Sequence, residues 1–211
     1  MNRVANRQSV AAAEPRGRPK KGGRAAPARR ATLERADWLA AARKMLIREG
    51  IGAVKVDRVA RALKVSRGGF YWRFKGHADL LDALLADWRE RNSGAILGAL
   101  GGSGTPIERF EAGVKVWIDE VDFDPAYDKA VREWARTSKK VAKALGAVDD
   151  ERIEALHQLF LDAGEDDDEA FIRARVVYYH QVGYYAMEVK ESPARRRELA
   201  RLYVRVLTGF S

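Results

Sequence analysis

Cysteine is absent from the 211 residues, which excludes a disulfide framework and a thiolate metal site. Histidine is nearly absent: His77, His157 and His180 stand too far apart for any recognised ligand spacing, so neither a metal nor a cofactor is expected. No apolar run approaches the roughly 18 residues needed to span a bilayer. Near the amino terminus the only apolar stretch is Val10 to Ala13, too short for a secretory signal, so a soluble cytoplasmic protein with no membrane partner is expected. No segment alternates with the period of a strand, and there is no internal repeat. There is also no nucleophile–base pair and no phosphate loop, so an enzyme is not expected.

What is present is positive charge, unevenly placed. Residues 1–81 hold 20 Lys and Arg against 6 Asp and Glu, a net of +14; residues 82–211 hold 19 against 24, a net of −5, and the two sum to the +9 of the whole chain. An excess of one sign in the first segment points to a polyanionic partner, with nucleic acid ahead of a membrane surface. Residues 1–31 carry nine Lys or Arg, several Gly and Pro, and almost no large apolar residue, the composition of a disordered arm.

Helical periodicity then runs through the chain, giving an all-α fold of about nine helices. Thr32 is a candidate cap for a first helix whose apolar face is Trp38, Leu39, Ala42, Met45 and Leu46, ending at Gly50. Val56, Val59, Ala60 and Leu63 make a short second helix, and a third starts at Ser66, together a helix-turn-helix pattern. Leu80, Leu84 and Trp88 mark a long fourth helix. Thr105-Pro106 with Glu108, Asp124-Pro125 and Ser192-Pro193 are helix-start signals. Between them lie helices over Val141–Phe160 and Phe171–Val189, and the acidic run Glu165–Glu169 suits a helix amino terminus better than a cation site. The division expected is an arm over 1–31, a helix-turn-helix domain over 32–76 and a helical domain over 77–211.

The third helix carries the chemistry. With Ser66 as its cap, Phe70 and Phe74 fall on one face, turned to the core, while Gly68, Gly69 and Trp72 point the other way. The glycines would let the backbone approach a groove edge. Trp72 would contact a thymine methyl or sugar wall and Arg67 would reach guanine; Tyr71, Arg73 and Lys75 would grip phosphates, and the helix start at His77 would add backbone N–H groups. The alternative is that Trp72 is covered by a later helix.

The stretch from Thr32 to Leu85 resembles the DNA-binding domain of the TetR family of bacterial transcriptional regulators. The likeness lies in Gly50, Val59-Ala60, the Val65-Ser66 turn and the run Phe70–Lys75 leading to Asp79-Leu80-Leu81. It implies groove contacts at Arg67, Gly69 and Trp72 and phosphate contacts at Tyr71, Arg73 and His77. Three positions depart from the family's pattern: Gly69 stands where Ser or Thr is common, Lys64 where Gly is common, and His77 where Lys is usual. The run Pro15–Lys21 is similar to an AT-hook core, in which Arg16 and Arg18 enter an A·T-rich minor groove and Gly17 permits close approach; a merely solvated tail is the alternative.

The resemblance further implies a homodimer formed by the last two helices and a small-organic-effector pocket among the middle ones. Val176, Tyr179, Gly183 and Met187 share one helical face, and Leu199, Tyr203 and Val206 are their candidate partners in the last helix. Phe110, Trp117, Trp134, His157, Phe160, Tyr178 and Tyr185 are the pocket candidates, each equally able to be plain core. The function expected is that of a sequence-specific regulator, a repressor, binding a palindromic operator in double-stranded DNA within the nucleoid. A ligand-independent architectural protein using arm and helix-turn-helix together is the alternative.

Overall fold

The computed structural model describes residues 33–209. The basic arm, with Arg16, Gly17 and Arg18, lies outside the described residues, as does Thr32. Nine α-helices and one 3-10 turn make up the described residues, with no strand among them: α1 (Arg35–Glu49), the 3-10 turn Ile51–Ala53, α2 (Val56–Ala62), α3 (Gly68–Tyr71), α4 (His77–Leu100), α5 (Pro106–Asp119), α6 (Pro125–Ala135), α7 (Lys139–Asp162), α8 (Asp167–Ala186) and α9 (Pro193–Thr208). The all-α expectation holds.

Local chemistry sets most of the helix starts. Thr105 accepts from the Glu108 backbone N–H and the Glu108 carboxylate returns a bond to Thr105, with Pro106 in the first turn. Asp124 and Ser192 cap α6 and α9 in the same way, each followed by proline. Asp166 caps α8, and Asp167, Asp168 and Glu169 place negative charge in its first turn. The cap of α1 is Glu34, in a reciprocal arrangement with Asp37.

Two apolar cores are strung along α4, whose 24 residues span about 36 Å at 1.5 Å per residue. The first packs Trp38, Leu46, Val59, Phe70 and Phe74 against Leu80, Leu84 and Trp88 of α4 and reaches Tyr127, Val131 and Trp134 of α6. The second gathers Ile96 and Leu100 of α4 with Phe110, Trp117, Phe160, Ala174 and Val177. Between them α4 buries two polar residues, Asn92 and Ser93, at 0% and 3% exposure.

Buried polar groups need partners, and here the partner is a charge. Arg152 of α7, only 2% exposed, donates from Nη2 to the Asn92 carbonyl at 2.9 Å and to Ser93 Oγ at 3.2 Å. Its Nη1 donates to the Tyr178 hydroxyl at 3.2 Å and to Asp128 at 3.4 Å. Asp128 also accepts from Trp88 Nε1 at 3.2 Å and Arg132 Nε at 2.8 Å. Asp149 closes the network, accepting from both Arg132 Nη groups and, at 2.6 Å, from Tyr178. Burial, opposed by the Arg152 charge, pushes the Tyr178 hydroxyl up to about 12, so it remains a neutral donor.

Removing Asp128 leaves two guanidiniums short of a counter-charge at the junction of the cores. Asp128→Ala is expected to lower unfolding stability by about 3–5 kcal/mol, the usual cost of breaking a buried pair, read as a shifted urea midpoint at constant m-value. A loss below about 1 kcal/mol, the range of surface pairs, would mean the network is not a structural tie.

Candidate nucleic-acid interface and effector cleft

The turn between α2 and α3 is built around Lys64. Its φ of 56° is left-handed, and the bond from Val65 N–H to the Ala60 carbonyl at 3.0 Å closes the α2 end behind it. A lysine occupies the position that glycine usually fills in this motif, at a cost of about 1 kcal/mol.

α3 is a single turn, shorter than its periodicity suggested, and Ser66 is not its cap. The residue before the first helical position is Arg67, and no side chain caps it. Gly68 and Gly69 are poor helix formers, so packing holds this turn. Phe70, 0% exposed, sets its ring 5.5 Å from Trp38 edge-on and 5.1 Å from Phe74 stacked. The guanidinium of Arg35 lies 4.1 Å over Phe74.

With Phe70 and Phe74 inward, Trp72 is thrust out at 82% exposure and Tyr71 at 55%. No later helix covers Trp72 among the described residues. Arg67 extends beside Tyr71, its guanidinium 5.9 Å from that ring and 3.4 Å from Asp57 of α2. The Lys75 side chain is exposed, while its backbone N–H bonds the Asp79 carboxylate at 2.8 Å. The hydrogen bond from Arg35, then that from Lys75 N–H, holds the Asp79 carboxyl below its ordinary range.

Three positions differ in geometry from the helical-wheel picture. A Cβ at Gly69 would stand 3.5 Å from Trp38, so this position leans towards α1 and is partly buried. Arg73 is turned to the protein: Nε donates to the Leu33 carbonyl at 3.1 Å, Nη2 stands 3.8 Å from Glu34, and its own carbonyl accepts from Arg35 at 2.6 Å. The His77 ring bonds the Val54 carbonyl at 2.6 Å through Nε2, which is therefore the protonated nitrogen. His77 is also the first residue of α4, so its backbone N–H belongs to the positive end of that helix.

The pocket candidates separate into walls and core. A cleft of about 210 Å³ among α5, α6, α7 and α8 is lined by Trp117, Phe123, Arg132, Arg152, Tyr178, Gln181 and Tyr185. A tighter cavity of about 60 Å³ among α5, α8 and α9 is lined by Phe110, Trp117, His180, Tyr184, Arg196 and Tyr203. Burial lowers the pKa of His180, which favours its neutral ring. Trp134, His157 and Phe160 line neither. Trp134 belongs to the first core and Phe160 to the second, while His157 of α7 faces Asp167 at 3.0 Å and the Phe171 ring at 5.8 Å. Arg152, Arg132 and Gln181 were missed because charged and amide residues in a helix read as its solvated face; the available signal was the Asp128–Arg132 pair one turn apart.

On α8 and α9 the candidate contact face is open. Val176, Tyr179 and Met187 are 49%, 52% and 78% exposed, Tyr203 and Val206 are 38% and 70%, and Leu199 is half-buried. A Cβ at Gly183 would meet nothing within 4 Å. No helix among the described residues is long and apolar enough to cross a membrane.

Residues 39–84 match the sequence model of the bacterial regulatory proteins of the tetR family. The fold resembles a TetR-family transcriptional regulator from Streptomyces coelicolor, with a TM-score of 0.69 at 22% identity over 83% of this chain and 94% of that one. It also resembles GusR of Salmonella enterica, with a TM-score of 0.63 at 20% identity over 83% and 93%. A tetR-family regulatory protein from Rhodococcus RHA1 gives 0.62 at 17% identity over 83% and 95%. No protein of curated function matches the chain. The exposed turn helix held by Phe70 lies within the matched residues 39–84, and the all-helical fold around it is similar to that of TetR-family regulators.

Proposed function

We propose that the chain is a sequence-specific repressor that binds a palindromic operator as a homodimer and is released by a small organic effector. The observation that carries the DNA reading is Trp72, an 82% exposed tryptophan on a turn whose neighbours Phe70 and Phe74 are buried. Exposure of so large an apolar side chain, flanked by Tyr71, Arg67 and Lys75, fits a groove surface. Arg67 and Trp72 read bases, Lys75 and Tyr71 meet phosphates, and the backbone N–H groups at His77 hold a further phosphate. Gly69 contributes backbone proximity only, and Arg73 acts by clamping the start of α1. Arg67 exchanges its long Asp57 contact for DNA. In this reading residues 32–76 form the DNA-binding domain, residues 77–211 the effector and dimer domain, and Arg16, Gly17 and Arg18 of the arm enter the minor groove.

The open apolar face of α8 and α9 supports pairing of two copies, which sets two recognition turns one DNA turn, about 34–36 Å, apart. Effector control has its support in Arg152, which lines the 210 Å³ cleft and bonds α4, the helix that follows the recognition turn. A ligand that draws on this guanidinium alters what holds α4 in place.

Gel shifts on a selected palindrome against scrambled duplexes test the DNA reading. Arg67→Ala and Trp72→Ala are expected to cut discrimination by about 5- to 150-fold, the range of 1–3 kcal/mol per base contact. Lys75→Ala should weaken all duplexes alike and reduce the salt slope by about one unit. Phe70→Ala instead should lower stability by about 3–5 kcal/mol, whereas Trp72→Ala should change it by less than about 0.5. Equal binding of every duplex by the unaltered protein would overturn the operator reading in favour of an architectural role. Deletion of residues 1–31 should lower affinity and flatten its salt dependence; unchanged affinity and A·T preference would remove the arm from the interface.

The dimer is tested separately. Tyr179→Glu combined with Val206→Glu is expected to halve the mass measured by light scattering and to abolish binding of the two-half-site operator. An unaltered protein that is monomeric at micromolar concentration would overturn it.

A further inference from the structure

Arg152 offers five N–H groups. Its Nη groups are spent on Asp128, Tyr178, Asn92 and Ser93, but Nε is buried without a hydrogen-bond partner among the described residues. Gln181 of α8, which lines this cleft and also the smaller cavity beside it, likewise buries its amide nitrogen Nε2 without a partner among the described residues. Two residues that line one cleft each hold a buried donor without an acceptor, which is unusual, since such groups are nearly always satisfied. What they lack is an acceptor.

The charge balance says which kind. Arg132, Arg152, Asp128 and Asp149 are formally neutral together, but both carboxylates approach Arg132 at 2.8 Å, while Arg152 meets only Asp128, at 3.4 Å. The rim cations Lys129 and Arg136 are already matched, by Glu188 and Glu133. The thinly countered charge is therefore that of Arg152, the most buried of the four cations lining the cleft. A single negative charge suits it. A dianion would bring its second charge against Asp128 and Glu133 on the same walls, where Lys129, Arg132 and Arg136 are already paired. The remaining walls, Trp117, Phe123, Val182 and Tyr185, are apolar or aromatic.

We propose that this cleft binds a small organic monoanion: one carboxylate on a flat apolar body. The carboxylate accepts from Arg152 Nε–H and the Gln181 amide, and the body lies against Trp117, Phe123 and Tyr185. Charge-assisted bonds to a carboxylate are the stronger kind, which separates this ligand from a neutral molecule of the same shape. The proposal rests on the reading of this cleft as the effector site.

Calorimetric titration of the full-length protein with benzoate, phenylacetate and 2-naphthoate, each beside its neutral carboxamide, provides the test. At least one carboxylate is expected to bind tenfold or more tighter than its amide. Gln181→Leu should weaken that binding at least fivefold, and Arg152→Lys, which keeps the charge but removes the Nε–H, should weaken it further; melting curves establish that both variants fold. Amides that bind as tightly as the acids would overturn the monoanion assignment, as would no binding by any probe or undiminished binding by the folded Gln181→Leu protein. The operator gel shift separates the two ideas. An amide that releases DNA sinks the monoanion and leaves effector control standing, whereas a carboxylate that binds through Arg152 and Gln181 without touching the gel shift supports the site and sinks effector control.

Discussion

The arrangement of the molecule depends on one buried charge. Arg152, at 2% exposure, sits where α4 passes from one apolar core to the other, and it ties Asn92 and Ser93 of α4 to Asp128 of α6 and Tyr178 of α8. An apolar residue there would leave the Asn92 carbonyl and Ser93 hydroxyl without this donor. A buried ion pair is weak support for stability, because desolvation offsets most of the Coulomb gain. Its stronger effect here is geometric: four helices can satisfy this guanidinium in few relative positions.

The α3 turn obeys the opposite rule. α3 has no side-chain cap and begins with two glycines, so its own propensity does not hold it. The Phe70 ring does, wedged between Trp38 and Phe74, with Arg73 donating to the Leu33 carbonyl and Arg35 donating to the Arg73 carbonyl at the start of α1. One short turn with one buried anchor has little freedom over which side chains face outward. Trp72 follows Phe70 by two residues and must leave the core.

This contrast explains what the sequence discloses. Helix starts at Thr105, Asp124 and Ser192 were legible because a cap and its partner lie within three residues, and the helix-turn-helix was legible because Phe70 and Phe74 keep a helical spacing. The cap of α3 lies one residue beyond the Ser66 expected, at Arg67, since tertiary packing and not a side-chain cap fixes this start. Aromatic content could not separate wall from core, and Trp134 and Phe160 went to the cores. Arg152 was invisible for a related reason. Within Asp149–Glu154 it reads as one more charge on a solvated face, and its partners lie 24 to 60 residues away.

Under the proposed effector reading, the same geometry bounds how the cleft acts on DNA binding. A ligand biases an equilibrium only by the difference in its interaction with the two states. A carboxylate on Arg152 Nε does this only if the arrangement of Nη2 on Asn92 and Ser93 differs between DNA-bound and free protein. Were α4 rigidly fixed, the ligand would bind equally to both and shift nothing. The tie to α4 consists of two hydrogen bonds from a charged donor, each worth about 1.5–3 kcal/mol. Weakening one of them falls within the usual 1–3 kcal/mol of allosteric coupling, about 5- to 150-fold in affinity. That is enough to clear an operator held at modest occupancy, and a tightly held operator would require both half-sites to respond, so in the proposed dimer the pairing of two copies is part of the switch.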